Sequence, residues 1–421
     1  MRSARFGILT AFLMSAPALT AAEPKNELPV TGTVHAELAS FDKLMTTFLP
    51  KHSIPGGSLA VGKDGHVVYE RGFGYADRDA NEAVQPDALF RIASISKPIT
   101  AVAILQLIER GKLKADDKVF DILGLKAPTG DNVKFDERWK KVALLQLMHH
   151  TGGWDRGKSF DPMFRSTIIV EELGVKPPAG PDAVIRYMLR QPLDFDPGER
   201  FAYSNFGYCL LGRVIEKVTG HRYEEYVKKE VLAPLGIQRM RIGRTLLKDR
   251  APGEVRYYTA KDATGTAILG PDLGKPVPQP YGAWNLEAMD SHGAWIASAA
   301  DLVRFGSAFQ VPAKCKVLSA QSIALMFAPP VGKVGHRPDG KPKAKYYACG
   351  WQVVQVGDGQ RNVFHTGSLP GTSTILVCRH DGLTWAALFN TRDGVPGGVP
   401  SGAIDPLLHK AADEVKSWPG K

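Results

Sequence analysis

Long hydrophobic runs are missing from this 421-residue chain after its first twenty residues. A transmembrane helix needs about 20 mostly apolar residues, and no later stretch approaches that length. The apolar stretch from Phe6 to Thr20 is short for a membrane span and contains Pro17. We therefore predict that the mature chain has no transmembrane span.

The first residues instead have the pattern of a secretory signal. Arg2 and Arg5 precede the apolar stretch, and small residues follow it. Residues 1–22 are therefore predicted to be a signal peptide, with cleavage after Ala18 or Ala22, and the protein is expected to be secreted or periplasmic. An uncleaved N-terminal anchor is the alternative.

Cysteine is scarce, and none occurs before Cys209, which argues against a lipid-anchored N-terminus. An even number of cysteines in an oxidising compartment permits disulfides, and four cysteines allow three pairings. Cys349 and Cys378 lie in strand-like runs and could face each other, although small buried thiols fit equally well. The fourth cysteine is Cys315.

Motifs of metal sites and of nucleic-acid-binding proteins are also missing. The eleven histidines include no His-Glu-x-x-His or comparable spacing, so neither a metal nor an organic cofactor is implied. The net charge of +10 favours anionic surroundings such as cell-wall polymers. Aromatic residues are not interleaved with the basic ones, so no nucleic-acid partner is expected. One basic cluster, interpreted as a solvated loop, contains Lys333, Arg337, Lys341, Lys343 and Lys345.

Strand patterns occur near both ends of the chain, with a mostly helical stretch between them. Residues 57–62 and 66–72 alternate around a Lys-Asp-Gly turn, and further strands are predicted between 346 and 390. We therefore predict an α/β fold, in which an antiparallel sheet built from both chain ends is flanked by helices and carries an inserted all-helical domain. The α/β domain should comprise residues 30–110 plus 286–421, and the helical domain with variable loops residues 111–285.

A serine and a lysine three residues apart, Ser94 and Lys97, are the first indication of catalysis. On a helix they lie on one face, and Pro98 requires that the helix begins close to Ser94. The apolar run from 102 to 108 predicts that this helix is buried. A hydroxyl beside an amine can lose its proton and attack an acyl carbon, but one such pair is expected by chance in a chain of this length.

Two further motifs follow in the order that Ser-x-x-Lys enzymes use, namely Tyr203-Ser204-Asn205 and His365-Thr366-Gly367. With these motifs the chain resembles the serine β-lactamase-like family, and it is most similar to class C β-lactamases and serine D-Ala-D-Ala carboxypeptidases. The resemblance covers roughly residues 35–415. It is poor over residues 240–285, where we expect variable loops near the rim of the cleft. No Gly-x-Ser-x-Gly is present, which excludes the nucleophile elbow of α/β-hydrolases.

The resemblance implies a role for each matching residue. Ser94 would be the nucleophile that forms an acyl-enzyme. Lys97, close to the hydroxyl and partly desolvated, would accept its proton, and Tyr203 is the second candidate base. Asn205 would donate to the substrate's amide carbonyl or hold Lys97 in place.

The third motif would bind the substrate. Thr366 would offer its hydroxyl to a substrate carboxylate, and Gly367 would let the strand approach closely. The oxyanion hole would be formed by the backbone amides of Ser94 and Ser368.

His365 departs from the β-lactamases, which more often carry lysine at this position. A histidine near its reference pKa is mostly neutral at pH 7, so the binding of an anionic β-lactam or peptide C-terminus should weaken as pH rises. The departure shifts the resemblance toward the carboxypeptidases, D-amino-acid peptidases and esterases of the family. A buried strand histidine without a role is the alternative.

The predicted function is that of an exported serine hydrolase, acting through a Ser94 acyl-enzyme on amides or esters such as D-amino-acid peptides. Its substrate would be a small molecule or peptide, such as one derived from the cell wall. One alternative is a class C-like β-lactamase. Another is a penicillin-binding sensor or scaffold without turnover, against which the three intact motifs argue.

Overall fold

The computed structural model describes residues 28–129, 134–357 and 359–419, so the predicted signal peptide lies outside the described residues. Among the helices of these ranges, none is long and apolar enough to cross a membrane.

Nine of the strands in the described residues form one antiparallel sheet. In chain order the strands are β1 (Val30–Thr31), β2 (Gly56–Lys63), β3 (His66–Asp77), β4 (Glu82–Ala83), β5 (Phe90–Arg91), β6 (Arg241–Ile242), β7 (Thr264–Thr266), β8 (Pro276–Pro278), β9 (Trp295–Ala297), β10 (Lys345–Tyr347), β11 (Gln352–Gly357), β12 (Gln360–Leu369), β13 (Thr372–Cys378) and β14 (Leu383–Phe389). The order across the large sheet is β1-β3-β2-β14-β13-β12-β11-β10, with β4 paired to β3. The prediction of an antiparallel sheet built from both chain ends is confirmed.

Helices cover both faces of this sheet. The α-helices of the described residues are, in chain order, α1 (Ala39–Lys51), α2 (Ser96–Glu109), α3 (Val119–Leu123), α4 (Leu144–Met148), α5 (Ser166–Leu173), α6 (Pro181–Met188), α7 (Asn205–Thr219), α8 (Tyr223–Val227), α9 (Ala299–Ser307), α10 (Ala320–Met326) and α11 (Pro400–Asp413). Helices α1 and α11 pack on one face, where Phe41, Trp385 and Leu408 share a core. Helix α9 packs against β2 and β14 as part of a second, larger core.

Strands β13 and β14 are buried along their whole length. Their sequences, Thr-Ser-Thr-Ile-Leu-Val-Cys and Leu-Thr-Trp-Ala-Ala-Leu-Phe, do not alternate between polar and apolar residues. A strand that is covered on both faces has no solvent side that would require alternation. Two of the buried hydroxyls of β13 donate hydrogen bonds to neighbouring backbone carbonyls, as described below.

The stretch predicted to be helical contains α3 to α8, but it is not exclusively helical. Strand β6 lies within it and forms a small sheet with β5 and β9, and β7 pairs with β8 in a hairpin. Strands β6, β7 and β8 all lie between residues 240 and 285, in the stretch that matches the resembled family poorly. The proposed domain boundaries, 30–110 plus 286–421 and 111–285, stay a prediction.

All four cysteines are free thiols. Cys209, Cys349 and Cys378 are buried, and Cys315 is half-buried. Of the two possibilities that the sequence left open, the structure contains buried thiols and no disulfide among these four residues.

Candidate active site

A cavity of about 950 Å³ contains six of the eight predicted site residues in its lining. These six are Ser94, Tyr203, Asn205, His365, Thr366 and Ser368. Lys97 lies directly beneath Ser94, and Gly367 belongs to the strand between Thr366 and Ser368. The structure thus brings all eight residues together, from three distant parts of the chain.

The nucleophile turn is residues 92–96, which connect β5 to α2. Its 3₁₀ segment, Ala93–Ile95, places Ser94 immediately before the first turn of α2. Ala93 has φ = +48°, which is uncommon for a residue with a Cβ atom. Ser96 donates a hydrogen bond to the carbonyl of Ala93 at 2.7 Å. Strain of this kind persists where the surrounding structure enforces it, and it is typical of functional sites.

The backbone before Ser94 is held by two threonines of β13. Thr372 donates to the carbonyl of Arg91 at 2.8 Å, and Thr374 donates to the carbonyl of Ile92 at 3.0 Å. A Cβ atom at Gly367 of β12 would overlap both the Ile92 carbonyl oxygen and the Thr374 hydroxyl. Glycine at this position is therefore needed for β12 to lie beside the nucleophile turn.

Lys97 is completely buried and hydrogen-bonded on three sides. Its Nζ is 3.2 Å from Ser94 Oγ, 2.8 Å from Asn205 Oδ1 and 3.0 Å from the carbonyl oxygen of His292. The amine is therefore within proton-transfer distance of the predicted nucleophile.

Burial is the largest effect on the charge of Lys97. It lowers the pKa of this amine well below its usual value, the carboxylate of Asp161 raises it, and the guanidinium of Arg156 lowers it again. Burial has this effect because a charged ammonium loses its hydration inside the protein. An uncharged lysine can accept a proton from Ser94.

Tyr203 lies between two basic side chains. Its ring centroid is 4.8 Å from Lys97 Nζ and 4.7 Å from the Arg156 guanidinium. Burial raises the pKa of Tyr203, although its contact with the Ser94 hydroxyl and the charge of Arg156 lower it in part. Tyr203 therefore carries its phenolic proton at neutral pH, which makes it a proton donor at rest, while Lys97 is the better base.

His365 differs from the expectation. Its Nδ1 is 2.7 Å from the Thr366 carbonyl oxygen, so Nδ1 donates, and its Nε2 accepts from the Tyr347 hydroxyl at 2.9 Å. Burial, followed by the charge of Lys97, lowers the pKa of His365 to about 3. The predicted loss of anion binding through His365 titration near pH 7 is therefore wrong, because this imidazole is already neutral and both of its nitrogens are engaged.

Four cations line the cavity, namely Arg156, Lys343, Lys345 and Arg392, and none of its described lining residues is acidic. Lys343 and Lys345 belong to the basic cluster that the sequence predicts to be a solvated loop. Arg392 is half-buried and has no ion-pair partner within the described ranges. The charge that a lysine would supply at position 365 is thus supplied from other places on the cavity wall.

Sequence reasoning missed four residues of the site: Arg156, Asp161, His292 and Tyr347. Asp161 Oδ2 accepts from Asn205 Nδ2 at 2.6 Å, and its Oδ1 caps the 3₁₀ turn Pro162–Phe164. An Asp followed by Pro is a sequence signal for such a cap, but it does not indicate a contact with Asn205. The other three carry no motif of their own.

Comparison with known proteins identifies the family to which the chain belongs. The profile of the family described as Beta-lactamase matches residues 41–404. Penicillin-binding protein 4 of Amycolatopsis lactamdurans is 28% identical over 391 residues, which are 89% of this chain and 88% of that protein. Protein flp of Staphylococcus aureus (strain MW2) is 27% identical over 340 residues, 80% of this chain but only 59% of flp, so the chain spans less than two thirds of that relative.

Among solved structures, the octameric penicillin-binding protein homologue from Pyrococcus abyssi has a TM-score of 0.65 and 26% identity. The alignment covers 91% of this chain and 79% of that one.

The close approach at Gly367 generates a first prediction. Gly367→Ala should force the nucleophile turn away from β12, slowing the modification of Ser94 by a fluorophosphonate at least tenfold and costing about 1–3 kcal/mol of stability, as overpacking does. Gly402→Ala is the control, because nothing lies within 4 Å of a Cβ atom at that helical position. Labelling kinetics and thermal melting measure both effects, and a G367A protein as reactive as wild type would contradict the account.

The buried histidines generate a second prediction. Burial lowers the pKa of His149 to about 4 and of His365 to about 3, and lowers those of His150 and His292 well below the usual value. The unfolded chain binds these protons near pH 6.5, so the stability is fully present above that pH and declines as the pH falls.

Each of these histidines should remove about 1.4 kcal/mol per pH unit below pH 6.5. Urea unfolding at pH 7.5, 6.0 and 5.0 measures this effect, because most carboxylates titrate at lower pH, and the buried Lys97 contributes a decline of the same sign wherever the unfolded chain alone carries its proton. Unchanged free energies of unfolding across this range would show that the histidines are not buried in the neutral form.

Proposed function

Because the chain belongs to the Beta-lactamase family, a family of hydrolases, we propose that it is a serine hydrolase that acts through an acyl-enzyme on Ser94. One observation carries the proposal: the buried amine of Lys97 lies 3.2 Å from the Ser94 hydroxyl and is hydrogen-bonded there. A buried lysine without a close carboxylate partner is costly, and such lysines are typical of nucleophile activation.

In the proposed acylation, the proton of Ser94 moves to Lys97 while Oγ bonds to the acyl carbon. The backbone N–H groups of Ser94 and Ser368 donate hydrogen bonds to the carbonyl oxygen and stabilise the negative charge that develops on it. Tyr203, protonated at rest, donates its proton to the leaving amine or alcohol and regains one from Lys97. The proton that leaves Ser94 thus reaches the leaving group through Lys97 and Tyr203, and no other proton donor is needed.

In the proposed deacylation, water attacks the ester of Ser94. The sequence contains no Glu-x-x-x-Asn after Asn205, so we assign the removal of the water's proton to Tyr203 and Lys97. Lys97 takes the water's proton through Tyr203, the bond between the acyl carbon and Ser94 Oγ breaks, and the proton passes to Oγ, which restores the hydroxyl of Ser94.

The cationic lining supports substrates that carry a carboxylate, such as peptides ending in a D-amino acid. The bond that is cleaved in such a substrate would be an amide or an ester. The half-buried guanidinium of Arg392 lies three residues beyond the end of β14, whose Phe389 is aligned with Ser373 and Ser368 across the sheet. We therefore expect the Arg392 guanidinium to bind an anionic group of a substrate that lies near Ser368. Export through the predicted signal peptide is part of the same proposal.

The test is an intact-mass time course of wild type and Ser94→Ala, each mixed with benzylpenicillin and, separately, with a diacetyl-Lys-D-Ala-D-Ala peptide. We expect an adduct or turnover with the wild type alone. Release of D-Ala supports the peptidase, rapid opening of the drug supports the β-lactamase alternative, and a permanent adduct without turnover supports the sensor. Equal reaction of both proteins would contradict Ser94 as the nucleophile.

A further prediction concerns Arg392. Arg392→Gln should raise KM about tenfold for a peptide with a free C-terminal carboxylate, which is the loss of about 1.4 kcal/mol of binding, and leave the C-terminal amide of that peptide unaffected. Lys341→Gln removes the same charge from an exposed residue that does not line the cavity, and it should change neither. Equal effects of R392Q on both peptides would contradict a carboxylate contact.

A further inference from the structure

Asn205 is held between a lysine and a carboxylate. Its Oδ1 is 2.8 Å from Lys97 Nζ, and its Nδ2 donates to Asp161 Oδ2 at 2.6 Å. An amide has an acceptor end and a donor end, whereas a carboxylate only accepts. Asp161 therefore determines which end of Asn205 faces Lys97, and that end is the oxygen.

This orientation matters because an uncharged lysine has two N–H donors and one lone pair. Asn205 Oδ1 and the His292 carbonyl, 2.8 and 3.0 Å from Nζ, are acceptors and engage both N–H groups. The lone pair is then left for the third neighbour, the Ser94 hydroxyl at 3.2 Å. In this arrangement Ser94 donates to Lys97, which is the direction that proton transfer requires.

We propose that Asp161 is a positioning residue: by holding the oxygen of Asn205 toward Lys97, it directs the lysine lone pair at Ser94. The inference rests on the proposed function, since it concerns the activation of the same nucleophile. Asp161 is 44 residues away from Asn205 in the chain, and within the described part of the structure it forms no hydrogen bond with Ser94 or Lys97.

A negative charge so close to the site would by itself favour the ammonium form of Lys97. Arg156 offsets it, because its guanidinium is 3.9 Å from Asp161 and lies over the Tyr203 ring. The ion pair of Asp161 and Arg156 thus supplies an oxygen acceptor for Asn205, and its two charges together add little net charge near Lys97.

The remaining groups that face Lys97 are aromatic or neutral. The Tyr203 and Tyr208 rings lie 4.8 and 5.7 Å from Nζ, and burial keeps the nearby histidines uncharged. These histidines are His150, His292 and His365. Asp161 and Arg156 are consequently the two charged groups with a marked effect on Lys97.

The test is a double-mutant cycle of Asp161→Asn and Asn205→Ala, read as the rate constant for phosphonylation of Ser94 by a fluorophosphonate. This probe reports the nucleophile without a known substrate, since the Oγ–P bond forms and fluoride leaves. Above the pH range in which Lys97 becomes protonated, we expect D161N to slow the reaction at least tenfold in the wild type and to have no further effect in N205A, because at that pH Asp161 acts on the reaction only through Asn205. Additive effects would overturn the inference.

A matched control is Asp155→Asn, because Asp155 is a neighbouring carboxylate that pairs with Arg200 and does not contact Asn205. It should leave the rate unchanged. Thermal melting of every variant separates positioning from folding, since Asn at position 161 can still cap the turn at Met163.

The pH profile of the same reaction gives a second readout. Asp161 raises and Arg156 lowers the pKa of Lys97, and the base must be unprotonated to react. The acid limb is the part of the pH–rate profile in which protonation of Lys97 slows the reaction. D161N should therefore move this limb to lower pH, and Arg156→Gln should move it to higher pH. Shifts in the same direction, or no shift in R156Q, would overturn the inference, whereas equal labelling of wild type and S94A would overturn the proposed function itself.

Discussion

The burial of the Lys97 amine is the constraint on which the rest of the site depends. A lysine without exposure to solvent loses the hydration of its ammonium, so the folded protein favours the uncharged base. The surroundings then provide oxygen acceptors for its N–H groups rather than a close counter-ion. Helix α2 has to be enclosed on nearly all sides for this to happen, and twelve of its fourteen residues are buried.

The large sheet positions the reacting groups around that lysine. Strands from the two chain ends meet where β14 pairs with β2, and this places β13 and β12 next to the nucleophile turn. Thr372 and Thr374 of β13 donate hydrogen bonds to the backbone before Ser94. Because Gly367 has no side chain, β12 can approach the nucleophile turn closely. The strained backbone at Ala93 is thus maintained by hydrogen bonds to its neighbours from residues that lie 281 and 282 positions later in the chain.

Local features of the site could be predicted from sequence, and features that depend on distant contacts could not. Ser94, Lys97 and Pro98 indicate their own helix, and alternation or turn residues indicate β2, β3 and the late strands. The contact of Asp161 with Asn205 arises from an irregular 3₁₀ turn that no periodicity predicts. The charge of His365 depends first on its burial in the folded chain, which lowers its pKa, so the reference pKa of histidine is a poor guide to it. Tyr347, which donates to its Nε2 from another strand, also carries no sequence signal. Lys343 lines the cavity because it lies just before the edge strand β10, whose place in the sheet no local pattern indicates.

The central claim, that burial makes Lys97 an uncharged base, is tested most directly by NMR titration of ε-¹³C-labelled lysines. Lys97→Arg assigns the resonance by its disappearance. The account predicts that Lys97 is uncharged at pH 7 and titrates well below the exposed lysines of the same protein. A Lys97 resonance that stays in its charged position and titrates together with the other lysines would contradict it.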